Sequence, residues 1–155
     1  MQELATAIVN EYRQIIAKSN RNVKLEYRLK SGQGATNSLF IYADKVRMSQ
    51  VLSNLLANAI KFTEEGRIVV TAEINDENKN SIVVSVQDSG AGIDSEIQPH
   101  LFTKFASKSF QGTGLGLFIS KSIIEAHGGE MWAENNSDGR GATFYFTLPM
   151  QKVKV

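Results

Sequence analysis

The sequence predicts an α/β two-layer sandwich, a mixed β-sheet covered on one face by helices. Three observations carry the prediction. Segments with helical periodicity recur along the chain, β-favouring runs lie between them, and the later runs come in pairs joined by polar turns, an order that suits helices packed on one sheet. At 155 residues the chain suits one domain that can bury a hydrophobic core without disulfides or a structural metal.

The first element is a helix over residues 3–18, with Leu4, Ile8, Tyr12, Ile15 and Ile16 on one face and polar residues opposite. Ser19-Asn20-Arg21-Asn22 stops it. Val23, Leu25, Tyr27 and Leu29 then alternate with Lys24, Glu26, Arg28 and Lys30, the pattern of a half-exposed strand. Residues 31–38 are rich in Gly, Ser and Asn and read as a flexible loop. Leu39-Phe40-Ile41-Tyr42 is a short strand, and Asp44 is a good N-cap for a helix running to Phe62. Residues 67–74 and 81–87 form an antiparallel hairpin across the polar turn 75–80. A short helix follows at 95–100, then an irregular stretch to Gly112. A helix over 113–127 ends at Gly128-Gly129. Strands at 130–134 and 143–148 flank a turn at 135–141, and residues 151–155 form a tail.

Composition narrows the function. There are 17 basic and 16 acidic residues for a formal charge of +1, so no global field draws the chain to nucleic acid or an acidic membrane. The absence of Cys excludes a disulfide scaffold, a thiolate metal site and a cysteine nucleophile, and fits a reducing cytoplasm. The start, Met1-Gln2-Glu3-Leu4, has no signal-peptide pattern, and no apolar run approaches the roughly 20 residues that span a bilayer.

Four separated segments carry chemistry. In 51–62, Asn54, Asn58 and Lys61 interrupt an apolar helix at i, i+4 and i+7, and so share one face. That stripe is either a solvated face or a functional one; an amide oxygen is a good hard ligand for Mg²⁺, which keeps waters and takes phosphate oxygens besides. Asp88-Ser89-Gly90-Ala91-Gly92-Ile93 follows directly on a strand, and its carboxylate is suited to accept a hydrogen bond from the exocyclic amine of adenine. Alone it would be an ordinary strand-ending turn. Gly112-Thr113-Gly114-Leu115-Gly116-Leu117 opens a helix whose free N–H groups and dipole can cradle phosphates. Its spacing is neither that of a Walker loop nor that of a Rossmann turn. Gly139-Arg140-Gly141-Ala142-Thr143-Phe144 is the fourth; Thr143 alone would be simply a β-favouring strand residue.

In this order, over residues 40–149, the four segments resemble the ATP-binding catalytic domain of a sensor histidine kinase, of the superfamily shared with gyrase. The resemblance implies ATP and Mg²⁺ as cofactors. It makes 51–62 the asparagine box, with Asn58 the metal ligand, Asn54 a polar neighbour of the phosphates, Lys61 a phosphate contact and Phe62 beside the nucleotide. The first glycine box then supplies Asp88, Gly90, Gly92 and Ile93 to adenine, and the second supplies Gly112, Thr113, Gly114, Leu115, Gly116 and Leu117. Residues 94–111 would be the ATP lid, with Phe102 and Phe105 resembling the phenylalanine box and Lys104 and Lys108 within reach of phosphates. Thr143 would share a water-mediated contact with Asp88. The lid departs from the commonest family wording, carrying Thr103-Lys104 where Glu-Pro or Glu-Arg usually precedes the second Phe.

Related ATPases such as DNA gyrase hold a water-activating glutamate at the position of Asn54. An amide cannot accept that proton, so the pocket reads as one that protects ATP from water until another nucleophile arrives. His100 and His127 are not in the context of an acceptor histidine. The resemblance therefore implies a kinase module that donates the γ-phosphoryl group to a histidine on a separate dimerisation domain of the same parent protein, with a response regulator downstream. The isolated domain is expected to be a cytoplasmic monomer. Residues 1–20 read either as the end of the connection from that dimerisation domain or as the first helix of this one, with 21–150 as the ATP-binding domain. The alternatives are an anti-sigma-type serine kinase and a non-catalytic ATP-sensing module.

Overall fold

The computed structural model describes residues 1–30, 39–75, 80–106 and 113–152. Within them run α1 (Gln2–Lys18), β1 (Val23–Lys30), β2 (Leu39–Ile41), α2 (Lys45–Phe62), β3 (Gly66–Ile74), β4 (Ser81–Asp88), a 3-10 turn (Gln98–His100), α3 (Gly116–Ala126), β5 (Met131–Asn135) and β6 (Ala142–Lys152). The sheet order is β1-β3-β4-β6, with β2 and β5 both pairing β6. β1 and β3 are parallel and every other pair is antiparallel, so the expected mixed sheet is present. Parallel neighbours need a long crossover, and α2 lies within it.

Register decides what faces the helices. Ile68, Val70 and Ala72 stand opposite Asp88, Val86 and Val84, and Val84 and Val86 in turn stand opposite Phe146 and Phe144. Alternation puts these residues on one face. There they meet Met48, Val51, Leu52, Leu55, Leu56 and Ala59 of α2 in a single core with Phe146 and Leu148 fully buried. Burying one such side chain stabilises by about 1.5–3 kcal/mol. The opposite face carries the cross-strand pair Trp132 and Tyr145, stacked with centroids 5.1 Å apart.

The N-terminal helix docks on the same face through Ala5, Ile8, Val9 and Ile16. Its buried stripe is rotated from the expected one: Ile15 is 47% exposed, and Ala5 and Val9 take its place. Tyr12 Oη donates to the Ser53 carbonyl (3.2 Å) and Arg13 Nε to the Leu25 carbonyl (2.9 Å), which fixes the helix against α2 and β1. α2 begins as expected, with Asp44 Oδ1 accepting from Arg47 N (3.0 Å). Two other expectations shift. The helix at 113–127 starts only at Gly116, because Gly114 takes a positive φ of 67° that no helix admits. Gln151 and Lys152, expected in a tail, extend β6 to pair with Phe40 and Leu39.

Candidate functional site

A cavity of about 520 Å³ opens between α2, the segment after β4 and the start of α3. That volume suits a small organic ligand. Its wall is set by the core. Because the apolar stripe of α2 is locked onto the sheet, Asn58 and Lys61 are carried to the cavity flank, joined by Phe62. Asn58 is half-buried, and its amide makes no hydrogen bond within the protein among the described residues. A half-buried amide without a partner, aimed into a cavity, is an available ligand. The Lys61 ammonium stands 5.3 Å from the Phe62 ring centre, so the nearby cation is held by an aromatic face.

Asp88 ends β4, also lines the cavity and is only 5% exposed. Its Oδ1 accepts from Gly90 N (2.9 Å) and Ala142 N (3.4 Å), which leaves Oδ2 for a ligand. Burial pushes the carboxyl above the usual Asp range, against the two backbone bonds, which pull it down. A carboxylate kept desolvated next to a cavity is a costly arrangement, and such groups cluster at functional sites. Gly92 and Ile93 continue this wall.

The third wall is the entrance to α3, where Thr113, Gly114, Gly116 and Leu117 line the cavity. At Gly114 a Cβ would sit 2.6 Å from Phe105 Cα, and the Phe105 N–H donates to the Gly114 carbonyl (2.9 Å). This close pairing of two backbones brings residue 105 back beside 114. The wall also includes Ala142 and Phe144 of the fourth segment, and Ile97 and Leu101, which the sequence did not single out, since ordinary apolar residues carry no signal until the fold gathers them.

The structure thus gathers Asn58, Lys61, Phe62, Asp88, Gly92, Ile93, Thr113, Gly114, Gly116 and Leu117 around one cavity. Other expected site residues stand elsewhere. Thr143 pairs with Gln87 rather than Asp88, so alternation turns it to the far side of the sheet, where its hydroxyl donates to Asn136 Oδ1 (2.6 Å). Ala142 takes the place beside Asp88. Asn54 stands behind Gly116, not on the wall: its amide donates to the Gly116 carbonyl (3.3 Å) and to the fully buried Ser120 Oγ (3.1 Å). Lys104 turns its ammonium over the Phe118 ring at 5.1 Å, away from the cavity. Gly90 and Leu115 support the wall without lining it. Gly112 and Lys108 lie outside the described residues.

His127 follows the last residue of α3 and bonds to the residue before α2. The Asp44 backbone N–H can only donate, so Nε2 (3.2 Å) accepts, and Nδ1 carries the proton toward the Ile123 carbonyl at 2.7 Å. The ring clamps the end of α3 to the start of α2. Among the described residues no cluster of three or more His, Cys, Asp or Glu side chains forms a metal site, and no helix is long and apolar enough to cross a membrane.

The fold and this pocket define a nucleotide-binding domain, and residues 43–152 match the model of the histidine kinase-, DNA gyrase B- and HSP90-like ATPase family, to which the chain belongs. It is similar to the sensor protein FixL of Bradyrhizobium diazoefficiens, 41% identical over 133 residues, covering 83% of this chain and 25% of that protein. It is also similar to the sensor histidine kinase WalK of Bacillus subtilis, 35% identical over 121 residues, covering 74% of this chain and 20% of that one. Among solved structures, the catalytic domain of histidine kinase ThkA matches with a TM-score of 0.79 and 34% identity, over 96% of this chain and 91% of that one. Full-length ShkA in complex with AMPPNP matches with a TM-score of 0.81 and 27% identity, over 99% of this chain and 30% of that one. Within the family, this is the catalytic, ATP-binding domain of a sensor histidine kinase. The chain spans only 25% and 20% of the FixL and WalK lengths.

Proposed function

We propose that this domain binds ATP with Mg²⁺ and donates the γ-phosphoryl group to a histidine on a dimerisation domain of the same parent protein, from which a response regulator takes it. The observation that carries the reading is the half-buried Asn58 amide, unpartnered among the described residues, lining one cavity with Lys61, Asp88 and the α3 entrance. With no acidic cluster in reach among the described residues, a divalent ion would be held by the Asn58 oxygen, phosphate oxygens and water, a donor set that suits Mg²⁺. The ion would supply neutralisation of phosphate charge.

The protein groups do the rest. Asp88 accepts from the exocyclic amine of adenine, and Gly92 and Ile93 wall the base. Lys61 and the N–H groups entering α3 hold the phosphates at the positive end of the helix dipole. Positioning and charge stabilisation then carry most of the catalysis, as phosphoryl transfer requires. Asn54 contributes by what it lacks: its amide is donated to α3 and cannot take a proton from water, so bound ATP waits for its proper acceptor. The similar ShkA was solved in complex with AMPPNP, an ATP analogue, which supports the nucleotide assignment. Residues 21–150 form the ATP-binding unit, and α1, packed into the same core through Ala5, Ile8, Val9 and Ile16, is its first helix. In this reading the domain works in the cytoplasm, where its ATP is supplied, and is a monomer in isolation.

The test supplies the parent's dimerisation domain in trans with γ-labelled ATP. An acid-labile, alkali-stable phosphohistidine should form on the added domain, and the ATP-binding domain alone should neither label itself nor turn over ATP rapidly. Fast hydrolysis by the domain alone, or acid-stable phosphoserine on a partner, would overturn the reading in favour of an ATPase or a serine kinase.

A further inference from the structure

Two asparagines at the end of β5, Asn135 and Asn136, do not line the cavity, yet they grip the segment that carries Asp88. Asn136 uses its whole amide. Nδ2 donates to the Asp88 carbonyl (2.8 Å) and the Arg140 carbonyl (2.7 Å), and Oδ1 accepts from the Thr143 hydroxyl (2.6 Å). Its backbone N–H bonds the Gly141 carbonyl (3.0 Å), which closes the turn 136–141. Asn135 reaches across to Ile93 and acts like the edge of a strand: Oδ1 accepts from the Ile93 N–H (2.7 Å) and Nδ2 donates to the Ile93 carbonyl (3.1 Å).

These contacts set the geometry of the carboxylate. Any Cβ at Gly141 would collide with the Asp88 carbonyl, so the turn lies backbone against backbone on Asp88. Ala142, the next residue, then sends its N–H to Asp88 Oδ1 (3.4 Å). Asn136 thus holds both the Asp88 backbone and the turn that delivers one donor to its carboxylate, while Asn135 fixes the far end of the same segment. On the α2 side, among the described residues, this segment is held by the long backbone bond from Ala91 N to the Phe62 carbonyl (3.4 Å). Near its start the other fastening is Ser89, whose N–H bonds the Arg67 carbonyl (3.1 Å) and whose Oγ accepts from the Arg67 N–H (2.9 Å).

We propose that Asn135 and Asn136 are positioning residues for the nucleobase: they hold residues 88–93 so that Asp88 Oδ2 and the Gly92–Ile93 wall are aimed before nucleotide arrives. A ligand meeting a wall already in place loses no free energy to ordering it. The inference rests on Asp88 reading adenine. It also gives a role to Thr143, which the register turns away from Asp88 and whose hydroxyl orients the Asn136 amide.

The test separates the base from the phosphates. Adenosine and magnesium tripolyphosphate each displace a fluorescent ATP analogue from the wild-type domain and from Asn135→Ala, Asn136→Ala and Asp88→Asn. Loss of the asparagine bonds should weaken adenosine about three- to tenfold, in the range of one or two neutral hydrogen bonds, and leave tripolyphosphate unchanged. A purely structural role would weaken both probes together, in proportion to the unfolded fraction measured by melting, and would overturn the proposal. So would unchanged adenosine affinity in folded Asn135→Ala and Asn136→Ala. Asn135 is exposed, so its variant keeps the test decisive if Asn136→Ala unfolds. Adenosine affinity lost in Asp88→Asn but kept in both asparagine variants would sink the clamp alone, whereas an unaffected Asp88→Asn would sink the adenine reading itself.

Discussion

Replacing Asp88 by Asn should separate ATP affinity from stability in opposite directions. The side chain lines the cavity and is only 5% exposed, with Oδ1 held by Gly90 N and Ala142 N, which leaves Oδ2 for a ligand. Asparagine keeps an oxygen for both backbone donors and places an NH₂ where the ligand amine would donate, so two donors face each other. Losing a hydrogen bond to a charged group costs about 1.5–3 kcal/mol, roughly ten- to a hundredfold in affinity. Stability moves the other way. Burial raises the folded pKa of Asp88 above its unfolded value, so the stabilising contribution of the protonated form is complete below the unfolded pKa. It is lost as pH rises through the raised folded pKa. At neutral pH the empty domain therefore carries an ionised carboxylate at a cost, and Asp88→Asn removes that cost. The variant should melt at the same temperature as wild type or higher, and wild-type ATP affinity should fall as pH is lowered toward the raised pKa. Calorimetric titration with ATP and a thermal melt without it decide the matter. Unchanged affinity in a folded variant would mean that adenine is read elsewhere, and a markedly lower melting temperature would make Asp88 a structural residue.

Two further perturbations probe other parts of the domain. Asn58→Ala should weaken ATP far more with Mg²⁺ present than in EDTA, because the amide acts through the metal; equal losses in calorimetry under both conditions would point to packing. Phe146→Ala removes a fully buried ring at the centre of the sheet and should destabilise by about 3–5 kcal/mol in chemical denaturation, whereas a loss below about 1 kcal/mol would mean that the core there collapses to fill the space.

Legibility followed the range of the interactions involved. The N-cap at Asp44 joins residues three apart, and the hairpin of β3 and β4 opens from the near pair Ile74 and Ile82, so cap and turn chemistry announces both, whereas the start of α3 shifted to Gly116. The stripe of Asn58 and Lys61 was visible because helical spacing alone puts them on one flank of α2. The order of the four segments was enough to identify the ATP-binding family to which the chain belongs. The buried stripe of α1 was not legible in full, because its boundary depends on which neighbours it meets, and Ile15 lies just beyond them.

The tertiary structure decided what depends on register and on side-chain direction. Side chains alternate across a strand, so pairing Thr143 with Gln87 rather than Asp88 moves its hydroxyl to the other face of the sheet. Asn54 shares a helical face with Asn58, but Ser120 and the Gly116 carbonyl, 66 and 62 positions away, take its amide. Asn135 and Asn136 read as turn residues until the fold brings them to Ile93 and Asp88, 42 and 48 positions away. The sequence by itself therefore determined the fold class, which local periodicity and turn chemistry encode, and the resemblance of its four segments to a known family supplied the family and the residue types of the pocket. Which of those residues face the cavity, and which only hold others in place, was decided by long-range pairing, whose energy exists only once the chain has folded.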